Sequence, residues 1–107
     1  MKVKWEGKEY ELKYSFRAMT MFENVTGTTY NVKTYTDTIV FFYCTFVSSS
    51  RLEDVDFDEF IDYLDDNPQL IEEFSLWFVN CLKEQNKLMP KVKENKSKTA
   101  KKENPKN

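Results

Sequence analysis

The chain opens with a short alternation of apolar and charged side chains. Residues 2–13 read KVKWEGKEYELK, two alternating runs placed on either side of Gly7. Period-two alternation is typical of strands, and glycine readily takes the positive φ of a tight turn. The pattern predicts a β-hairpin. Two strands alone are barely stable, so we expect this hairpin to pack on a helix.

The next two apolar segments predict helices. The first follows Ser15, a favourable N-cap, and Gly27 is a suitable residue to end it. The second, residues 38–47, is capped by Thr36 or Asp37 and is apolar on nearly every side. Its β-branched and aromatic content also permits a strand. Its length and its cap favour a helix at the centre of the domain.

Two further segments carry the i, i+3, i+4 spacing of amphipathic helices. Asp56 is a natural N-cap for the third helix, with Glu59 in capping-box position. Asn67 and Pro68 separate it from a fourth helix that should end near Asn86. The apolar stripes are Phe57, Phe60, Ile61 and Leu64, followed by Leu70, Ile71, Phe74, Trp77, Phe78, Cys81 and Leu82.

These elements predict a mainly α fold: a small helical domain of about four helices with a short N-terminal β-hairpin. The domain should cover residues 1–88, and residues 89–107 should form a disordered, Lys-rich tail, because they hold too few apolar side chains to offset the entropy of ordering. The predicted core comprises Phe16, Met19, Ile39, Phe42, Phe46, Phe60, Leu64, Phe74, Trp77 and Phe78.

Charge is divided unevenly along the 107 residues. Residues 1–82 carry 7 basic and 15 acidic side chains, a net charge of −8, whereas residues 83–107 carry 9 Lys and 3 Glu, a net charge of +6. The basic segment could contact nucleic acid, and a small regulatory or nucleic-acid-associated protein is the alternative function. The acidic body would repel phosphates, and the tail has no aromatic residues for stacking bases, so nucleic acid is not the expected partner.

Composition argues against an enzyme. The chain has no histidine, the commonest general base and metal ligand. It contains no phosphate-binding glycine loop, nucleophile elbow or CxxC motif, and no cofactor is expected. Cys44 and Cys81 could form a disulfide, but reduced core thiols are expected, because no signal peptide opens the chain. The longest apolar run, residues 39–44, is far below the ~18 residues of a membrane span, so a soluble, cytoplasmic protein is predicted.

One acidic segment invites a calcium interpretation. Asp54, Asp56 and Asp58 alternate as they do at the start of an EF-hand loop. That loop also needs glycine at its sixth position and glutamate at its twelfth, where this chain has Glu59 and Asp65. We therefore predict no metal site here, and read the carboxylates as favourable charges at a helix N-terminus with a solvated face behind them.

Three stretches, taken together, resemble the tail assembly chaperones of long-tailed (siphovirus-like) bacteriophages and prophages. They read EGKEYELKYSFRAMTMFENVTG, TDTIVFFYC and DFDEFIDYLDDNPQLIEEFSLWF, and they span residues 6 to about 82. The resemblance implies a small α-helical protein that binds the tape measure protein, often also the tail tube subunit, and leaves the finished virion. It implies no catalytic residues. In many such phages a ribosomal frameshift also makes a longer form.

The resemblance also sets expectations for partners. The protein should act in the cytoplasm of the bacterial host as a homo-oligomer, with no small-molecule substrate and no membrane. A helical partner needs an apolar groove, which exposed members of the third and fourth stripes could form. The candidate partner-binding residues are Phe57, Phe60, Leu64, Phe74, Trp77 and Phe78.

Overall fold

The computed structural model describes residues 1–88, with side chains for residues 1–85. This part contains a hairpin and four helices, which confirms the predicted fold class. The elements are β1 (Lys2–Trp5), β2 (Lys8–Glu11), α1 (Phe16–Thr26), α2 (Tyr35–Ser50), α3 (Phe57–Asp66) and α4 (Gln69–Leu88). The chain divides into two units, Met1–Trp77 and a second that starts at Phe78. The predicted tail over residues 89–107 lies outside the described residues.

The hairpin forms where the alternating pattern predicts it. β1 and β2 pair antiparallel, with Trp5 opposite Lys8. Between them, Glu6 has φ 49° and Gly7 has φ 84°. Two successive positive φ values match the turn geometry that follows the natural twist of a hairpin. Val3 and Trp5 both point to the buried face of β1, which attaches the hairpin to the helices.

Helix α1 begins and ends at the predicted residues. The Ser15 hydroxyl accepts a hydrogen bond from the Ala18 N–H at 3.1 Å. At the other end Gly27 has φ 73°, and its N–H donates to the Glu23 carbonyl at 2.8 Å. A side chain at that φ would be strained, so glycine is a good terminator.

Helix α2 is confirmed as a helix, but its predicted cap is wrong. The N-cap is Thr34: its hydroxyl accepts from the Asp37 N–H at 3.0 Å, and the Asp37 carboxylate accepts from the Thr34 N–H at 3.2 Å. Bonds from the N–H groups of Lys33 and Thr34 hold the pKa of Asp37 below its usual range. This reciprocal pair lengthens the helix at its start, and α2 ends with the three serines that follow the apolar run, the last of them Ser50.

Helix α3 begins after its predicted cap, and helix α4 begins after the predicted break at Asn67 and Pro68. Asp56 caps α3 by accepting from the Glu59 N–H at 3.4 Å. After α3 the Asn67 side chain donates to the Tyr63 carbonyl at 2.9 Å, and α4 starts directly after Pro68.

Helix α2 supplies the centre of an aromatic core. Its residues Phe41, Phe42 and Phe46 are fully buried. The ring of Phe42 stacks on that of Phe74, with centroids 4.4 Å apart and an interplanar angle of 7°. It also meets Phe60 edge-on at 5.2 Å. One ring of α2 thereby joins α3 and α4, as predicted for a helix that is apolar all round.

The predicted core is confirmed in part. The exposed fraction of the residue is below one tenth for Phe42, Phe46, Phe60, Leu64 and Phe74. Met19, Ile39, Trp77 and Phe78 are partly exposed. The prediction for Phe16 is wrong, because this side chain is 81% exposed. Helix α1 buries Ala18 and Phe22, and two residues of helix turn Phe16 about 200° away from Ala18.

Candidate interaction surface

The six candidate partner-binding residues divide into two groups. Phe60 and Phe74 are 0% exposed, and Leu64 is 5% exposed. Such residues cannot contact a partner while the fold is intact, and they belong to the core. Phe57 and Trp77 in the first unit, and Phe78 in the second, are partly exposed. These three remain available for binding.

The two available rings of the first unit are held by aromatic neighbours. The Phe57 ring meets the Tyr43 ring edge-on at 5.1 Å. Tyr43 is itself fixed, because its hydroxyl donates to the Val55 carbonyl at 2.6 Å. The Trp77 ring lies 5.6 Å from that of Phe74. Pre-positioned aromatic rings lose little side-chain entropy on binding, a property shared by residues that dominate protein interfaces.

Helix α4 also exposes apolar side chains that lie off the predicted stripe. In the first unit Leu76 is 64% exposed. In the second unit Val79 is 45% exposed, and Leu82, which was on the stripe, is 36% exposed. The signal that could have identified Leu76 and Val79 is an apolar residue at a position where an amphipathic helix should be polar.

Two other exposed aromatic residues stand outside the predicted set. Phe16 on α1 is 81% exposed and Tyr35 at the start of α2 is 71% exposed. Single exposed apolar residues are common on protein surfaces. They become candidates for contact only because the chain also carries the exposed residues of α4.

An acidic cleft lies between the hairpin turn and α3. Its volume is about 330 Å³. The lining residues are Trp5, Glu6, Glu59, Asp62, Tyr63 and Asp66. The Tyr63 hydroxyl donates to the Lys4 carbonyl at 2.6 Å, and burial raises the pKa of Tyr63. The phenol therefore stays protonated at neutral pH and keeps the cleft in shape. The four carboxylates would repel nucleic-acid phosphates from this part of the surface.

The two cysteines are the residues whose reactivity the structure describes most directly. Cys44 and Cys81 are free thiols. Burial raises the pKa of Cys44 to about 12 and also raises the pKa of Cys81, the opposite of what an activated nucleophile needs. Within the described residues, no three Asp, Glu or Cys side chains are placed to hold a metal ion, and Asp54, Asp56 and Asp58 form no such group. None of the helices described is long and apolar enough to cross a membrane.

Comparisons with known proteins add no relative. Neither a family model, nor a curated protein, nor a solved structure matches this chain. The function must therefore be argued from the residues and their placement alone.

Proposed function

We propose that this protein is a phage tail assembly chaperone that binds the tape measure protein and keeps it soluble until the tail is built. The observation that carries the proposal is the exposure of apolar side chains on α4, above all Leu76 at 64%. The order of the three sequence stretches supports the same role. In this role the protein acts by binding, without catalysis.

The physical requirement is a surface that an amphipathic helix can cover. A tape measure protein is a long helical chain, and its apolar face would aggregate if it were left in water. Recognition of such a face uses aromatic and aliphatic side chains against a partner helix. The first unit offers Leu76 beside the partly exposed Trp77, and the second offers Val79 and Leu82.

The negative charge of residues 1–82 supports the proposed task of keeping the tape measure protein soluble. Residues 1–82 have a net charge of −8, and α3 alone carries five acidic residues among its ten. A complex that buries the apolar faces and keeps this charge in water is protected from non-specific association. Solubility of the partner therefore comes from the body of the chaperone.

A tail tube subunit and further copies of this chain are the other proposed partners. Phe16 and Tyr35 lie on α1 and α2, and both are mostly exposed. They provide apolar contact area on helices other than α4, which self-association or tube binding could use while α4 holds the tape measure protein. We place this activity in the cytoplasm of the bacterial host, where tails assemble.

A pair of variants tests the role of α4. Leu76→Ser removes an exposed apolar side chain from α4, and Val25→Ser removes one that is 54% exposed from α1. Both replace surface residues, so the free energy of unfolding should change by no more than about 0.5 kcal/mol. We expect Leu76→Ser to weaken binding of the tape measure protein by roughly tenfold, as interface residues with good contacts do. Val25→Ser should leave binding unchanged.

One result of comparing the two variants would contradict a binding role for α4. Equal affinities for Leu76→Ser, Val25→Ser and the unaltered chain would show that α4 is not the binding surface. Phe74→Ala is unsuitable for this purpose, because the side chain is fully buried and its loss would disturb the fold.

A further inference from the structure

A second cleft has the opposite charge to the rest of the body. It lies where the segment after β2, the start of α1 and the end of α2 meet, and its volume is about 230 Å³. The lining residues are Lys13, Ser15, Arg17, Ser48, Ser49 and Arg51. Three of the seven basic side chains of residues 1–82 therefore line one cleft, and none of its lining residues is acidic.

The three cations are not used inside the fold. Among the described residues, none of the Lys13, Arg17 and Arg51 side chains is within ion-pair distance of a carboxylate. Glu53 lines the adjoining cavity together with Arg17 and Arg51. Side chains of like charge repel one another, so their convergence without a partner is unfavourable in the absence of an anion.

Compensation of helix ends does not explain three positive charges. The carboxyl end of α2 contributes roughly half a negative charge, and the amino end of α1 contributes a similar positive one. The partial charges of these two helix ends cancel approximately. Lys13, Arg17 and Arg51 therefore leave the cleft with a surplus of about three positive charges.

A buried hydroxyl points independently to a ligand. Ser48 is only 6% exposed, and its Oγ has no hydrogen-bond partner within the described part of the chain. A buried hydroxyl without a partner is unfavourable, because it has lost its hydrogen bonds to water. Ser48 lines this cleft and also the adjoining cavity, and an anion bound within reach of its Oγ would supply the missing acceptor.

Two further serines have hydroxyl protons to donate. The Ser49 hydroxyl accepts from the Lys13 N–H at 2.8 Å, and the Ser15 hydroxyl accepts from the Ala18 N–H at 3.1 Å. Since each oxygen receives a backbone N–H, its own proton can point into the cleft. Ser15 also marks the start of α1, where the first N–H groups have no acceptor within the helix.

The backbone at Arg51 adds to the argument. This residue ends α2 with φ 63°, in the left-handed region where glycine is the usual choice. An arginine in that conformation is less stable than a glycine, because its Cβ crowds the backbone. Arg51 therefore lines the cleft at the expense of local backbone stability.

We propose that this cleft binds a doubly charged tetrahedral oxyanion, namely inorganic phosphate or the phosphate group of a small monoester. Two guanidinium forks and hydroxyl donors suit the several oxygens of a phosphate. A dianion neutralises three positive charges better than a carboxylate does. A nucleic-acid strand would have to bring many phosphates close to a body of net charge −8, so a single small phosphate is the better ligand.

Titration with phosphate, followed by amide NMR on the full chain, tests the proposal. We expect saturable binding with a Kd on the order of 1 mM or below, with the largest shifts at the amides of Ser15, Ser48 and Arg51. Acetate should bind at least about tenfold more weakly, because it carries one charge and two oxygens. Phenyl phosphate distinguishes the sources: tighter binding than inorganic phosphate indicates an organic monoester, and equal binding indicates the free ion.

Charge-matched double variants separate a built site from general attraction. Arg17→Gln/Arg51→Gln removes two cleft cations and should weaken phosphate binding by roughly tenfold or more. Lys8→Gln/Lys33→Gln removes the same charge from other parts of the body and should change the affinity by less than about twofold. Glu53→Gln should tighten binding, because it removes the neighbouring negative charge.

Three results of the titrations would overturn the proposal, and a fourth comes from Arg51→Gly. One is an equal loss of affinity in both double variants. Another is a set of shifts confined to the Lys-rich residues 91–107. The third is the absence of saturation at about twenty times the expected Kd. Arg51→Gly separates loss of binding from misfolding. This variant should keep or raise Tm while it weakens phosphate binding, because glycine tolerates the positive φ. A fall in Tm with unchanged phosphate binding would also contradict the proposal.

Discussion

Phe74 is the residue whose removal should most disturb the fold. It is 0% exposed and packs among other aromatic rings. It stacks on Phe42 at 4.4 Å, and its ring lies 6.1 Å from that of Phe41 and 5.6 Å from that of Trp77. Phe74→Ala would open a cavity between α2 and α4 that these rigid rings cannot refill.

The expected loss is a large share of the total stability. Truncation of a buried phenylalanine to alanine costs about 3–5 kcal/mol, including the lost transfer energy and the cavity. A domain of this length is stable by roughly 4–13 kcal/mol. With an m value of about 1.5 kcal/mol per M, the urea midpoint should fall by about 2–3 M. Phe74→Leu keeps most of the volume and should cost about 1.5 kcal/mol or less.

Urea unfolding followed by circular dichroism measures this loss. Phe16→Ala is the matched control, since it truncates the same residue type where the side chain is 81% exposed. It should change the free energy of unfolding by no more than about 0.5 kcal/mol. The assignment of the core would be refuted by a loss below ~1 kcal/mol for Phe74→Ala, or by a loss above ~2 kcal/mol for Phe16→Ala.

Three further predictions follow from single residues. The bonds of Asp37 lower its pKa in the folded state, so its contribution is present above the ordinary range near pH 4 and is lost as the pH falls through the folded pKa. The stability gap between the unaltered chain and Asp37→Asn should therefore shrink on acidification, and a constant gap would contradict this. Burial raises the pKa of Cys44 to about 12, and Cys44 is buried whereas Cys81 is half-buried. A thiol reagent should thus label the folded Cys81→Ser variant far more slowly than the unaltered chain, and equal rates would refute the burial of Cys44. Arg51→Gly should raise the free energy of unfolding by up to about 1 kcal/mol in urea titrations, since it relieves a left-handed φ of 63°, and a loss of stability would show that the arginine side chain supports the fold.

The sequence predicts the elements well because their signals are local. Ser15, Gly27 and Asp56 act through hydrogen bonds to residues three or four positions away, so they can be recognised without the fold. The helix over residues 38–47 can also be predicted locally, because the length of this apolar run favours a helix over a strand. Thr34 was missed because its competitors Thr36 and Asp37 are equally good cap residues, and only the reciprocal bond with Asp37 distinguishes them.

The surface is harder to predict because exposure depends on packing between elements. Phe16 is an apolar residue on a helix, and nothing in the local pattern separates it from core positions. The cationic cleft is a similar case. Arg51 is distant in the sequence from Lys13 and Arg17, and it lines the same cleft only because the end of α2 lies beside the start of α1.

Co-expression with the tape measure protein of the same genome, with light scattering on the purified product, tests the proposed function most directly. The account predicts that the tape measure protein aggregates when expressed alone, and that it forms a soluble complex of defined stoichiometry with this chain. A tape measure protein that stays aggregated in the presence of this chain, while the chain itself remains folded and unbound, would contradict the account.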